Sequence, residues 1–210
     1  MNIELDAPLP CVQETPAQPS AIAALRAATW PSHQQLEKRI DVKSRFGNLV
    51  AYRAHLENLY GFCAALEARV APDTFGDALP DYPSRRKLVL LARDLASLGL
   101  GPDTIATLPC CGDMPAIDSI ASAFGCVYVL EGATLGGRTL LPVVAARVGV
   151  TPDRGAAFLA SYGDGVATMW SRFGAALDAW CRDPKRRAAA ESTAVATFDA
   201  LQRWLCRVPG

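Results

Sequence analysis

An all-α, single-domain bundle of about seven to nine helices is the fold this sequence predicts, and three observations carry the prediction. Apolar residues recur at 3- and 4-residue steps through nearly every segment beyond residue 18. Strand-like alternation bounded by turns is nowhere convincing. With 210 residues, half of them hydrophobic, the chain is long enough to bury one sizeable core and short enough for one domain.

The elements follow in order. Residues 1–18, "MNIELDAPLPCVQETPAQ", are proline-rich and aperiodic, and are read as a disordered or loosely packed arm ahead of a helical domain at 19–208. Ser20 is the N-cap of a helix over 20–40, with Leu25, Ala28, Thr29, Leu36 and Ile40 near one stripe. Pro31 bends it or splits it in two. A longer pattern through "NLVAYRAHLENLYGFCAALEARV" places Leu49, Tyr52, Leu56, Leu59, Cys63, Leu66 and Val70 on one face. "SRRKLVLLARDLASLGL" reads as a helix capped by Ser84 and stopped by Gly99 and Gly101. An apolar helix is expected from about Pro115 to Val148, with a bend somewhere along it. "TPDRGAAFLASYG" opens on a Thr cap with Pro at the first helical position, and "GVATMWSRFGAALDAWC" and "PKRRAAAESTAVATFDALQRWL" complete the bundle.

Composition excludes several classes of function. Lys+Arg and Asp+Glu balance at 21 each, so no global basic field recruits nucleic acid or an anionic membrane. Seven cysteines without CxxC spacing read as reduced thiols rather than a zinc site or disulfide framework. The acidic, proline-bearing N-terminus is no signal peptide, and no apolar run approaches ~20 residues without a charge or helix breaker, so a soluble, cytoplasmic protein is expected. GxSxG, a phosphate-binding glycine loop, HExxH and flavin or nicotinamide motifs are all missing from the sequence.

Three constellations remain. Of the two histidines, His33 in "TWPSHQQLEKR" has Glu37 four residues on, on the same helical face. That spacing suits a metal-ligating imidazole with an acid behind it, although a surface histidine with an acidic neighbour is the commoner origin of it. His55 has no comparable partner and reads as structural. In "YVLEGATLGGRTLLPVV", Gly132 and Gly136 are one turn apart and Gly137 adjoins them, leaving bare backbone where each glycine costs about 1 kcal/mol relative to alanine. A close helix crossing and a flat ligand laid against the backbone fit that spacing equally well. Arg26, two turns before His33, and Arg172, among aromatics in "MWSRFGAAL", could each anchor a ligand carboxylate or lie along the surface with the stem packed and the charge in water. One histidine beside a glycine-relieved apolar helix suits a metal-bearing cofactor that supplies the hard chemistry itself.

The segments "LRAATWPSHQQLE", "LENLYGFCAALEARV", "RRKLVLLARDLASLG" and "YVLEGATLGG" resemble, in this order, the haem oxygenase family, over about residues 22–205 and most closely its bacterial, biliverdin-producing branch. The resemblance implies that haem b, as cofactor and substrate, lies between a proximal helix and a kinked distal helix. His33 is then the iron ligand, with Glu37 as its supporting acid. Gly132, Gly136 and Gly137 form the distal surface over which dioxygen binds, and Arg26 and Arg172 lie toward the propionates. It further implies cleavage to biliverdin, carbon monoxide and ferrous iron, with electrons from a separate reductase or ferredoxin. A bilin-accepting protein is a further candidate partner; no nucleic acid or membrane is. Two positions depart from the family pattern: Trp30 stands where a basic residue is usual, and Ala133 where animal members carry an acid. Those departures motivate one rival, a haem-delivery protein without turnover; a haem-less helical scaffold binding another ligand or partner is a second.

Overall fold

The computed structural model describes residues 19–40 and 45–207; the expected arm at 1–18 lies outside them. The described residues form helices α1 (Ala21–Arg39), α2 (Leu49–Glu67), α3 (Tyr82–Arg85), α4 (Leu88–Ser97), α5 (Pro102–Ala106), α6 (Ile120–Val148), α7 (Ala157–Ala160), α8 (Val166–Trp180) and α9 (Pro184–Leu205), with two short 3-10 turns and no strand among them.

Local chemistry sets the boundaries. Ser20 caps α1 by accepting from the Ala23 amide, and Asp178 of α8 accepts from the Ile22 amide. The helix runs unbroken through Pro31. Both Pro31 and Ala27, whose carbonyl the proline cannot pair, are exposed, so water can satisfy the freed acceptor. The single helix expected across 84–99 is instead two, α3 and α4, parted by extended backbone at Arg86. Ser84 is not the cap: the buried Glu67 carboxylate accepts from the amides of Lys87 and Leu88, the start of α4. Asp94 does the same for α7, accepting from the amides of Ala157 and Phe158 at 2.7 and 2.8 Å. Thr151–Gly155, expected to open a helix, forms a tight turn before the four-residue α7. The long apolar helix starts at Ile120 rather than near Pro115, because Ser119 and Ser122 form a reciprocal capping box there; Gly149, at φ 73°, ends it.

Helix α6 changes character midway. From Ala121 to Glu131 every residue is buried, whereas from Gly132 to Val148 only Thr134, Gly137 and Val144 are. The first half is the central strut of the bundle: Phe124 lies between Phe75 and Phe173, at ring-centroid distances of 4.7 and 5.8 Å, and each such buried side chain contributes about 1.5–3 kcal/mol. Gly125 faces the backbone of Ala190 and Ala194, so α6 and α9 cross with nothing between them, and a methyl group there would force them apart. By length and composition α6 could cross a membrane, contrary to the expectation that no segment would; its apolar window is 72% buried inside the bundle, as a core helix is. The second half emerges from that core with one open side.

Candidate functional site

Helices α1 and α6 both pack chiefly on α9 and touch each other little. Tyr128 of α6, its phenol buried, lies beside Thr29 of α1. Four residues on from each, one helical turn, stand His33 and Gly132. The two expected halves of the site therefore begin one turn beyond a shared anchor, and the bare half of α6 runs on from there.

His33 is held in place by α9 and by its own helix. Ser32 donates to Asp199 at 2.9 Å, tying α1 to α9 one residue earlier. Phe198 meets the imidazole edge-on, and Trp30 lies nearly parallel to it, each at 5.9 Å between centroids. Nδ1 is buried without a hydrogen bond, while 45% of the side chain is open, so Nε2 lies on the accessible edge. Glu37 is on the expected face, but its Oε1 is 3.7 Å from Nδ1, beyond direct hydrogen-bond range.

The three glycines divide. A β-carbon at Gly132 or Gly136 would meet nothing within 4 Å, whereas one at Gly137 would come within 2.5 Å of the Leu159 carbonyl oxygen on α7. Gly137, expected on the distal surface, thus serves a helix crossing, whereas Gly132 and Gly136 are bare backbone beside open space.

Arg26 and Arg172 are exposed, and neither makes an ion pair or hydrogen bond among the described residues. Arg26 is on α1, roughly 10 Å from His33 by helical rise. Arg172 is on α8, which packs against the start of α1 where Gly174 lies beside Ile22; no polar contact brings it to Arg26. His55 is structural, as expected: it accepts from Arg45 at 3.4 Å and packs on Phe46, and burial, then the Arg45 charge, push its pKa down to about 3.

A buried charge cluster directly before Gly132 was not expected from sequence. Glu131, 1% exposed, accepts from Arg85 Nη1 at 2.5 Å, Lys87 Nζ at 3.1 Å and the Tyr162 hydroxyl at 2.6 Å. Arg85 also forks onto both oxygens of Asp81, at 2.8 Å each, and donates to the Met169 carbonyl. Two cations thus face two carboxylates. Burial lowers the Lys87 pKa against the pull of Glu131; for Arg85, burial acts in the same sense but Asp81 and Glu131 outweigh it, and the net shift is upward. The usable signal was a lone acid inside an all-apolar helix, which needs cationic partners when buried, and "RRK" at 85–87 could have supplied them.

The residues present fit an iron-bearing, flat, dicarboxylate macrocycle. One imidazole edge is open while Nδ1 is buried, α6 has two glycines with free space above them, and two arginines have no partner among the described residues. The slot is open, and the shallow concavities of about 310 and 180 Å³ lie elsewhere, by Pro184 and Arg187 and by Cys111 and Trp204.

Residues 20–207 match the family model described as "Heme oxygenase". Among solved structures the chain is similar to the NO- and CO-bound heme oxygenase of Neisseria meningitidis, at 22% identity, TM-score 0.74, covering 89% of this chain and 90% of that one. It is also similar to the heme oxygenase of Leptospira interrogans, at 18% identity, TM-score 0.70, covering 89% and 98%. No curated protein sequence matches. At these identities the structural likeness shows the fold, all-helical as the periodicity predicted, and the family match spans nearly the whole described chain; the protein belongs to the haem oxygenase family.

Proposed function

We propose that the chain binds haem between α1 and the open half of α6 and cleaves it oxidatively to biliverdin, carbon monoxide and ferrous iron, using dioxygen and electrons from a separate reductase or ferredoxin. The observation that carries this reading is His33, its Nδ1 buried and its other edge open, one turn beyond the contact that also precedes Gly132 and Gly136. Haem bound there would supply the iron on which dioxygen is activated.

The chain's own residues would do four things. His33 offers a neutral nitrogen to iron, held in one orientation by Phe198, Trp30 and the Ser32–Asp199 bond. Glu37, its carboxylate 3.7 Å from Nδ1, favours the tautomer that carries the proton on Nδ1 and leaves Nε2 unprotonated. Gly132 and Gly136 let the macrocycle and dioxygen lie against backbone where any β-carbon would intrude. Arg26, and Arg172 from the neighbouring helix, provide unpaired guanidinium groups for the propionate carboxylates. A cytoplasmic setting accords with six described cysteines that are all free thiols, four of them buried.

Haemin added to the purified protein is expected to give a Soret band, and ascorbate or a reductase under air to replace it with bilin absorption and release carbon monoxide. A Soret band that persists under reductant and air would refute turnover and leave haem delivery. No Soret band on adding haemin, with no change in His33→Ala, would refute haem binding altogether and favour a haem-less scaffold.

A further inference from the structure

Trp30 is the largest exposed apolar side chain among the described residues, 48% exposed, and it stands at the candidate site. Arg26, Trp30, His33 and Glu37 follow at steps of four, three and four, so they form one stripe along the open face of α1. The Trp30 indole is tilted only 6° from the His33 imidazole plane. Its position between the iron-ligating candidate and the arginine, about 6 Å by rise from Arg26, means that any flat ligand spanning His33 to Arg26 must pass over it. No hydrogen bond engages the indole N–H and no charge pairs with it among the described residues, so an apolar surface is what it presents there.

We propose, resting on the haem reading above, that Trp30 is a binding residue in its own right: its indole contacts the apolar body of the porphyrin between the iron and the propionate edge. An imidazole ligating iron would stand on edge to the macrocycle, so the indole parallel to it would meet the porphyrin edge-to-face, a dispersion and aromatic contact that does not require iron. Anionic recognition on this side is left to Arg26, one turn further on.

Iron-free protoporphyrin IX separates this role from simple support of His33, because it has the same macrocycle and no axial bond. Trp30→Ala is expected to weaken both haemin and protoporphyrin IX by about tenfold, with Trp30→Phe retaining most of the affinity. His33→Ala should weaken haemin while leaving protoporphyrin IX nearly unchanged. Far-ultraviolet circular dichroism checks that each variant is folded, which the exposure of Trp30 favours. Wild-type protoporphyrin IX affinity in Trp30→Ala would overturn the proposal, whatever happens to haemin. Failure of the wild type to bind haemin at all would instead sink the functional reading on which it rests.

Discussion

Substituting the adjacent glycines 136 and 137 gives opposite results if the distal slot and the helix crossing are assigned correctly. At Gly136 a β-carbon has nothing within 4 Å, so Gly136→Ala gains helix propensity of about 1 kcal/mol and raises Tm by roughly 2–4 °C for a chain of this size. At Gly137 the same methyl group comes 2.5 Å from the Leu159 carbonyl oxygen and 3.3 Å from its carbon. The obstacle is backbone, so α7 must move, at an overpacking cost of about 1–3 kcal/mol; the propensity gain offsets part of this, and Gly137→Ala should lose up to about 2 kcal/mol. Ligand binding runs the other way. Gly136→Leu should weaken haemin by at least about tenfold, since a side chain larger than one turn of free backbone allows must occupy the slot, while keeping wild-type helix content. Gly137→Ala, measured well below its Tm, should bind haemin nearly as the wild type does. Thermal unfolding followed by circular dichroism and haemin titration at the Soret band read both quantities on each variant. Wild-type haemin affinity in Gly136→Leu, or a Gly136→Ala protein less stable than wild type, would refute the assignment of open backbone to the ligand.

Two further outcomes concern buried charge. Glu131→Gln leaves Arg85 and Lys87 buried with one carboxylate between them, and urea unfolding should show a loss of about 3–5 kcal/mol; a loss under about 1 kcal/mol, the range of an exposed pair, would mean the cluster is solvated. His55, held neutral down to about pH 3 in the folded protein against a usual value of 6.5, takes up a proton earlier in the unfolded chain. Its contribution is therefore complete above pH 6.5 and is lost as pH falls toward 3, by up to about 1.4 kcal/mol per pH unit. His55→Gln should flatten urea stability across pH 4–6, and an unchanged slope would refute the assignment.

The class of fold was legible because each main helix shows a continuous apolar stripe, and so was the placing of His33 and Glu37 on one face of α1, because spacing within a single helix carries it. What the sequence misassigned depended on groups distant along the chain. The break between α3 and α4 is made by Glu67, some twenty residues upstream, whose carboxylate caps a helix that local propensity would have continued. Gly137 differs from Gly136 only by a rotation of 100° about the helix axis, and which of the two meets a neighbour is decided by where α7 packs. The Glu131 cluster needed residues 81, 85, 87 and 162 brought together, which no local period encodes. Pro31, conversely, was a strong local signal that tertiary placement overrode, because both it and the carbonyl it leaves unpaired face outward.

The same rotation answers whether Glu131 replaces the acid that Ala133 lacks. Two residues apart on a helix means roughly 200° around the axis, so Glu131 and Ala133 point to nearly opposite sides, and the structure bears this out: Ala133 is exposed while Glu131 is sealed in the bundle. Three donors engage the Glu131 carboxylate, two of them cations, which fixes it as an acceptor for Arg85 and Lys87 rather than for water in the slot. Its effect on the open half is mechanical. Anchored one residue before Gly132, it sets the rotation at which α6 leaves the core, and hence the direction in which Gly132 and Gly136 are bare. Thr134, buried and donating back to the Glu131 carbonyl at 2.7 Å, ties the first open turn to that anchor. Beyond it, Pro142 has no N–H for the carbonyl of Arg138, but that acceptor lies about 200° around the axis from Gly136 and so on the far side of the helix. Glu131→Gln should thus disturb haemin binding only as far as it lets α6 turn.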